Sequence, residues 1–169
     1  MELVNIYNEE KQNTGKIIDK YGPFNGGEYY LTTHIWVKFK KLWLIQKRSC
    51  NRKNNPNKWS VTGGAVKSGE TSLQAAKREL FEELRIRLPF EQFKFVGYYK
   101  QKYSFVDVYL VDANYLYSNV DFNKEEVADI KWCTEEEIIS KYNTKELVQS
   151  IYPGFQMVNN SFDKVQNIL

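Results

Sequence analysis

Gly64 to Ile86 reads GAVKSGETSLQAAKRELFEELRI. Leu73, Ala76, Leu80 and Leu84 recur at three- and four-residue steps, the period of a helix with one apolar face. Thr71 and Gln74 have capping-box spacing, and Pro89 ends the helix no later than about Leu88. Glu79, Glu82 and Glu83 stand at i, i+3 and i+4, so at about 100° per residue they share roughly a third of the circumference. They form an acidic face while the apolar stripe points elsewhere, so the helix can dock on a sheet with its carboxylates turned into a cleft. Like charges this close repel by about 0.2–0.5 kcal/mol per pair. A hard divalent cation, Mg²⁺ or Mn²⁺, turns that repulsion into ligation; a solvated Glu-rich helix is the alternative.

Working outward, Tyr30 to Phe39 (YLTTHIWVKF) is dense in β-branched and aromatic residues, and Leu42 to Lys47 follows at hairpin distance, predicting an antiparallel pair. Arg48 to Lys58 is a polar, Asn-rich loop, and Trp59 to Thr62 is a short extended piece ending at Gly63-Gly64. Beyond the helix, strands are expected near Phe93 to Lys100, Ser104 to Val111 and Ile130 to Cys133. Helices follow at Glu135 to Tyr142 and Thr144 to Ile151, then an unassigned tail. At the N-terminus Leu3 to Tyr7 and Lys16 to Ile18 read as strands around a turn at Asn13-Thr14-Gly15. The expectation is an α/β (α+β) fold, a mixed sheet with helices packed on it. Residues 1–169 are read as a single domain with a core at about 28–142, N-terminal strands in 1–27, and a helix and tail in 143–169.

A chain of 169 residues that is 42% hydrophobic and 27% charged has enough apolar surface to fold and is too apolar for a disordered protein. No apolar run approaches the roughly 20 residues of a membrane-spanning helix, and the N-terminus lacks a signal-peptide core, so a cytoplasmic protein with no membrane partner is expected. Cys50 and Cys133 lack metal-type spacing and are read as ordinary residues. The net charge of +3 does not point to nucleic acid. Its distribution is more telling: Lys47, Arg48, Arg52, Lys53 and Lys58 make one loop basic, while Glu79, Glu82, Glu83, Glu125 and Glu126 are acidic. Both clusters can face one cleft.

The 64–86 segment resembles the Nudix box, G-x5-E-x7-R-E-U-x-E-E-x-G-U with U aliphatic, at Gly64, Glu70, Arg78, Glu79, Leu80, Glu82, Glu83 and Ile86. Trp59 before Gly63-Gly64, and Glu126, Val127 and Trp132 after the box, are also similar to that family, over about 28–142. One position departs. Where the family has glycine, this chain has Arg85, which either extends the helix toward Pro89 or adopts a left-handed conformation at a cost of about 1–2 kcal/mol.

The resemblance implies an α/β/α sandwich with the box as loop-helix-loop, and metal-dependent hydrolysis of a diphosphate linkage in a nucleoside diphosphate derivative or related small molecule. Mg²⁺, or Mn²⁺, would be held by Glu79, Glu82 and Glu83, with the Gly63 carbonyl as a backbone ligand. Arg78 would brace Glu82, and Glu70 would orient the loop-helix junction. Glu126 is favoured as general base or additional ligand over Glu79 and Glu125, and Arg48, Arg52 and Lys58 are candidates for substrate phosphate. His34 reads as a satisfied sheet histidine. Trp36, Tyr98, Tyr99, Tyr103 and Phe105 are aromatics able to stack a base, though sheet packing is their simpler role. The N-terminal strands are compatible with a homodimer. Two alternatives stand beside the hydrolase. An isopentenyl diphosphate isomerase-like enzyme shares the fold, but Trp59 to Gly64 holds no cysteine here; a non-catalytic nucleotide-sensing module would not need the intact acidic face.

Overall fold

In the computed structural model, which describes residues 1–113 and 121–166, β3 (Tyr30–Phe39) is the strand around which the sheet is organised. Its β-branched and aromatic residues alternate between two faces, as a strand covered on both sides requires. It pairs in parallel with β8 (Ser104–Asp112) along its whole length. Its other edge is shared. The Val37 to Phe39 end pairs antiparallel with β4 (Leu42–Arg48), and the Thr32 to Ile35 end pairs antiparallel with β6 (Thr62–Ala65). β4 and β3 therefore diverge, and the chain from β5 (Trp59–Ser60), which pairs with β4, into β6 fills the opening. β6 runs through Gly63-Gly64 instead of ending there. β7 (Phe93–Lys100) lies antiparallel outside β8, and β9 (Val127–Cys133) lies outside β4.

Helix α1 (Ser72–Leu84) covers one face, with Leu80 and Leu84 packed among Ile35, Val37, Leu44, Tyr109 and Val111. Burying each such leucine contributes about 2 kcal/mol. Thr71 caps it through the expected reciprocal bonds with Gln74. Arg85 takes the left-handed conformation, φ 54° and ψ 15°, so the helix stops there and does not run on toward Pro89.

The opposite face is covered by α2 (Glu135–Asn143) and α3 (Tyr152–Gln166), around Trp36, Trp43, Ile138, Leu147 and Phe155. The result is the expected α/β/α sandwich with a mixed sheet.

Two local expectations are corrected. Thr144 to Ile151 is not one α-helix: Lys145 has φ 61°, Trp59 donates to Glu146 O at 2.9 Å and accepts from Val148 N at 2.8 Å, and Gln149–Ile151 forms only a short 3-10 turn. Leu147 and Ile151 reach the core from this irregular piece, and α3 occupies the tail, with Pro153 in its first turn where no N–H is needed. Residues 167–169 of that tail lie outside the described residues. In the N-terminal hairpin of β1 (Leu3–Tyr7) and β2 (Asn13–Asp19), the turn is formed at Asn8 to Gln12, where the Asn8 side chain accepts from the Gln12 N–H, so Asn13-Thr14-Gly15 belongs to β2. Among the described residues no helix is long and apolar enough to cross a membrane.

Candidate active site

The Gly63-Gly64 pair allows two close approaches, Gly63 to β3 and Gly64 to α1. A β-carbon on Gly63 would lie 2.2 Å from Thr33 O, and one on Gly64 would lie 2.2 Å from Glu79 Oε1. Any side chain larger than hydrogen would displace the strand or the carboxylate. Beside this pair opens a cavity of about 870 Å³, whose walls include the acids Glu79, Glu82 and Glu126, the bases Arg48, Arg52 and Lys53, and Gly63, Gly64 and Arg78. Acidic helix and basic loop thus meet in one space.

The acidic face of α1 is not separate from its apolar stripe, as the helical wheel suggested. Glu79 and Glu83 are buried, at 9% and 2% exposure, and only Glu82 reaches solvent. Arg78 ties the segment together. Its Nε and Nη2 donate to the two oxygens of Glu70 at 2.7 and 2.9 Å, and Nη2 also donates to Ala65 O at 3.1 Å. Its Nη1 donates to Glu79 at 2.6 Å and Glu82 at 3.1 Å. These carboxylates hold the Arg78 guanidinium above its ordinary pKa, and Arg78 in turn pulls Glu70 below the usual carboxylate range. Glu70 also accepts from Lys67 N at 3.1 Å, so its carboxylate bridges the loop and Arg78 of the helix.

Glu83 does not line the cavity. It lies behind it, accepting from Gln46 Nε2 at 2.7 Å and from Gly63 N–H at 3.4 Å. Burial, reinforced by the charges of Glu79 and Glu126, pushes its carboxyl up to about 8; Glu79 is raised by burial against the opposing pull of Arg78. Glu126 is ion-paired with Arg52, and its backbone is tied to the strand end by Ser49 N–H at 2.9 Å. Asn123 N–H reaches Glu83 O at 2.9 Å, so the Glu126 loop is fixed to α1 as well. Glu125, exposed, and Lys58, half-buried, both lie outside the cavity lining.

Arg48 donates to Asn54 O at 3.0 Å while lining the cavity, so it holds the basic loop it belongs to. His34, opposite Gly63, bonds the Tyr99 hydroxyl at 3.1 Å; burial, helped by Arg48, pushes it down to about 4. None of the five aromatics named from the sequence lines the cavity. Tyr21 and Tyr30 do, together with Lys20 and Glu2. Tyr30, Thr32 and His34 alternate along β3, so Tyr30 stands about 13 Å along the strand from the Gly63 level.

The donor set suits a hard cation: all oxygen, mostly carboxylate, with mutual repulsion that a divalent ion relieves. Among the described residues no three His, Cys, Asp or Glu side chains already surround a metal position, and arginines hold Glu79, Glu82 and Glu126. Gln46 and Thr62 were missed: a glutamine in LWLIQK reads as a strand-end surface residue, and no sequence signal marks it as buried.

The family model described as NUDIX domain matches residues 33–155. An uncharacterized Nudix hydrolase of Listeria monocytogenes is 34% identical over 151 residues, covering 88% of this chain and 89% of that protein. Among solved structures, a Deinococcus radiodurans protein superposes with a TM-score of 0.73 at 23% identity, over 87% of this chain and 92% of that one. A C. elegans Ap4A hydrolase superposes with a TM-score of 0.59 at 20% identity, over 79% and 98%. At these identities the structural likenesses concern the fold.

Proposed function

The chain belongs to the Nudix family of hydrolases, and from that premise we propose that it cleaves a diphosphate linkage in a nucleoside diphosphate derivative or related small molecule, using Mg²⁺ or Mn²⁺. The observation that carries this reading is the cavity shared by Glu79, Glu82 and Glu126 with Arg48, Arg52 and Lys53. A polyanionic substrate needs positive partners, and beside the Glu79, Glu82 and Glu126 carboxylates a bound cation would supply them.

Glu79, Glu82, Glu83 and Glu126, with the Gly63 carbonyl, are the ligands we assign. When bound there, a divalent cation lowers the pKa of water and neutralises charge on the phosphorus oxygens. Every other role falls to the chain. Arg48, Arg52 and Lys53 bind phosphate, Arg52 with the bidentate geometry lysine lacks. Glu126 accepts the proton of the attacking water as its oxygen bonds to phosphorus, while the P–O anhydride bond breaks and the leaving phosphate carries the electron pair away. Arg78 orients Glu79 and Glu82, and Glu70 fixes Arg78. Tyr21 and Tyr30 offer rings for the planar part of a nucleoside.

The test is a panel of nucleoside diphosphate derivatives and other diphosphates with Mg²⁺ or Mn²⁺, the products identified by phosphorus NMR. Turnover that depends on the metal and drops by orders of magnitude in Glu82→Gln and Glu83→Gln is expected. No turnover of any substrate, with tight nucleotide binding, would favour a sensing module; near-wild-type rates in both variants would overturn the site.

A further inference from the structure

We infer that Gln46 and Thr62 form a buried positioning pair that aims the Glu83 carboxylate; this rests on the reading of Glu83 as a metal ligand. Three elements contribute: Gln46 from β4, Thr62 from β6 and Glu83 from α1, with side chains 2–3% exposed. Thr62 Oγ1 donates to Gln46 Oε1 at 3.1 Å, and Gln46 Nε2 donates to Glu83 Oε2 at 2.7 Å.

The direction of this chain follows from what each group can offer. The amide turns Nε2 toward Glu83 and donates to the same oxygen that accepts from the Gly63 N–H. That leaves Oε1 facing away inside the protein, where it requires a donor. The Thr62 hydroxyl supplies the proton. Without it the amide would either strand a buried carbonyl oxygen or flip it against the carboxylate.

The choice of a neutral donor has a consequence. Glu79 and Glu82 are held by an arginine and Glu126 by another, and a cation entering the site must compete with those guanidiniums. The donors on Glu83, the Gln46 amide and the Gly63 N–H, carry no charge. They fix the rotamer without a guanidinium that an entering cation must displace. Glu83 is the carboxylate held by neutral donors alone, and Gln46 is the residue that sets its orientation.

The experiment measures Mn²⁺ affinity from the electron paramagnetic resonance of the free ion, without substrate, alongside kcat and KM. Gln46→Met keeps the length and removes the donor; Thr62→Val keeps the shape and removes the hydroxyl; Thr62→Ser restores the hydroxyl. Expected are roughly tenfold or greater weakening of Mn²⁺ binding in Gln46→Met, a smaller loss in Thr62→Val, and wild-type affinity in Thr62→Ser, with kcat falling and KM at saturating metal little changed. Gln46→Met or Thr62→Val binding Mn²⁺ as tightly as the wild type would overturn the positioning role while hydrolysis stands. Should Gln46→Met fail to fold, the Thr62→Val and Thr62→Ser comparison decides. A wild-type protein that neither binds Mn²⁺ nor hydrolyses any diphosphate overturns the role together with the reading beneath it.

Discussion

Gly64 and the Glu79 carboxylate occupy adjoining space: a β-carbon on Gly64 would stand 2.2 Å from Oε1 and 2.4 Å from Cδ. The obstructed atoms are the end of a flexible side chain, so Gly64→Ala is expected to fold and to push Glu79 off its 2.6 Å bond to Arg78. Turnover should fall roughly ten- to a hundredfold with an unchanged circular dichroism spectrum. Gly63→Ala meets backbone, Thr33 O at 2.2 Å, and should instead lower Tm. Equal activity in Gly64→Ala and wild type would show that Glu79 is not needed where it sits.

Arg78 serves four acceptor groups through three nitrogens, a pattern fitted to a planar fork. Arg78→Lys keeps the charge and loses the paired bonds to Glu70. A loss of about 2 kcal/mol is expected, or roughly 4–8 °C in Tm for a chain of this size. Thermal melts of the metal-free protein check it; an unchanged Tm would show that charge alone suffices.

Glu83 sets a conflict between stability and activity. Its carboxyl is raised to about 8 from an ordinary 4.5, so between those values the folded protein holds a proton that the unfolded chain has released. Stability contributed by this group therefore falls as pH rises through that window. Glu83→Gln has no such proton to lose. In metal-free melts its Tm advantage over wild type should grow from about pH 5 to about pH 9, while its turnover is expected to fall by orders of magnitude. A difference independent of pH would contradict this.

His34 is the single histidine, so its titration is unambiguous. Tyr99 donates its one proton to Ser150 O at 2.8 Å, which leaves its oxygen to accept from His34 Nδ1–H at 3.1 Å. The neutral ring is thus the Nδ1–H tautomer, and nitrogen NMR should report it. Its pKa is depressed to about 4 from 6.5, so its contribution to stability is present above about 6.5 and lost as pH falls through about 4. A ring titrating near 6.5 in the metal-free protein would contradict the structure.

What could be read in advance was local. α1 was legible because Leu73 to Leu84 repeat with the helical period and Thr71 caps them, and β3 because it is dense in β-branched and aromatic residues. Thr144 to Ile151 misled because Leu147, Val148 and Ile151 have helix-like spacing, yet Glu146 and Val148 give their backbone bonds to Trp59, a partner far away in sequence. Arg78 with Glu70 and the glutamates was legible because one helix and its leading loop carry them all. Gln46, Thr62 and Tyr21 were not, because each acquires its place from pairing between distant segments, which residue spacing does not record.

Tyr21 and Tyr30 bear on substrate choice for the same reason. Tyr30 packs on Phe24 at 5.3 Å between ring centroids and also lines the cavity, so a planar base there would extend an existing aromatic stack. Tyr21 is 70% exposed, so Tyr21→Ala should leave the fold intact. Stacking a base on an aromatic ring contributes about 1–3 kcal/mol, which predicts a KM increase of roughly tenfold for nucleoside diphosphate derivatives in Tyr21→Ala and in Tyr30→Leu, with Tyr30→Phe close to wild type. Diphosphates without a base should be turned over equally by all of these proteins. If the variants lose both kinds of substrate alike, the two rings support the cavity wall and do not select the base.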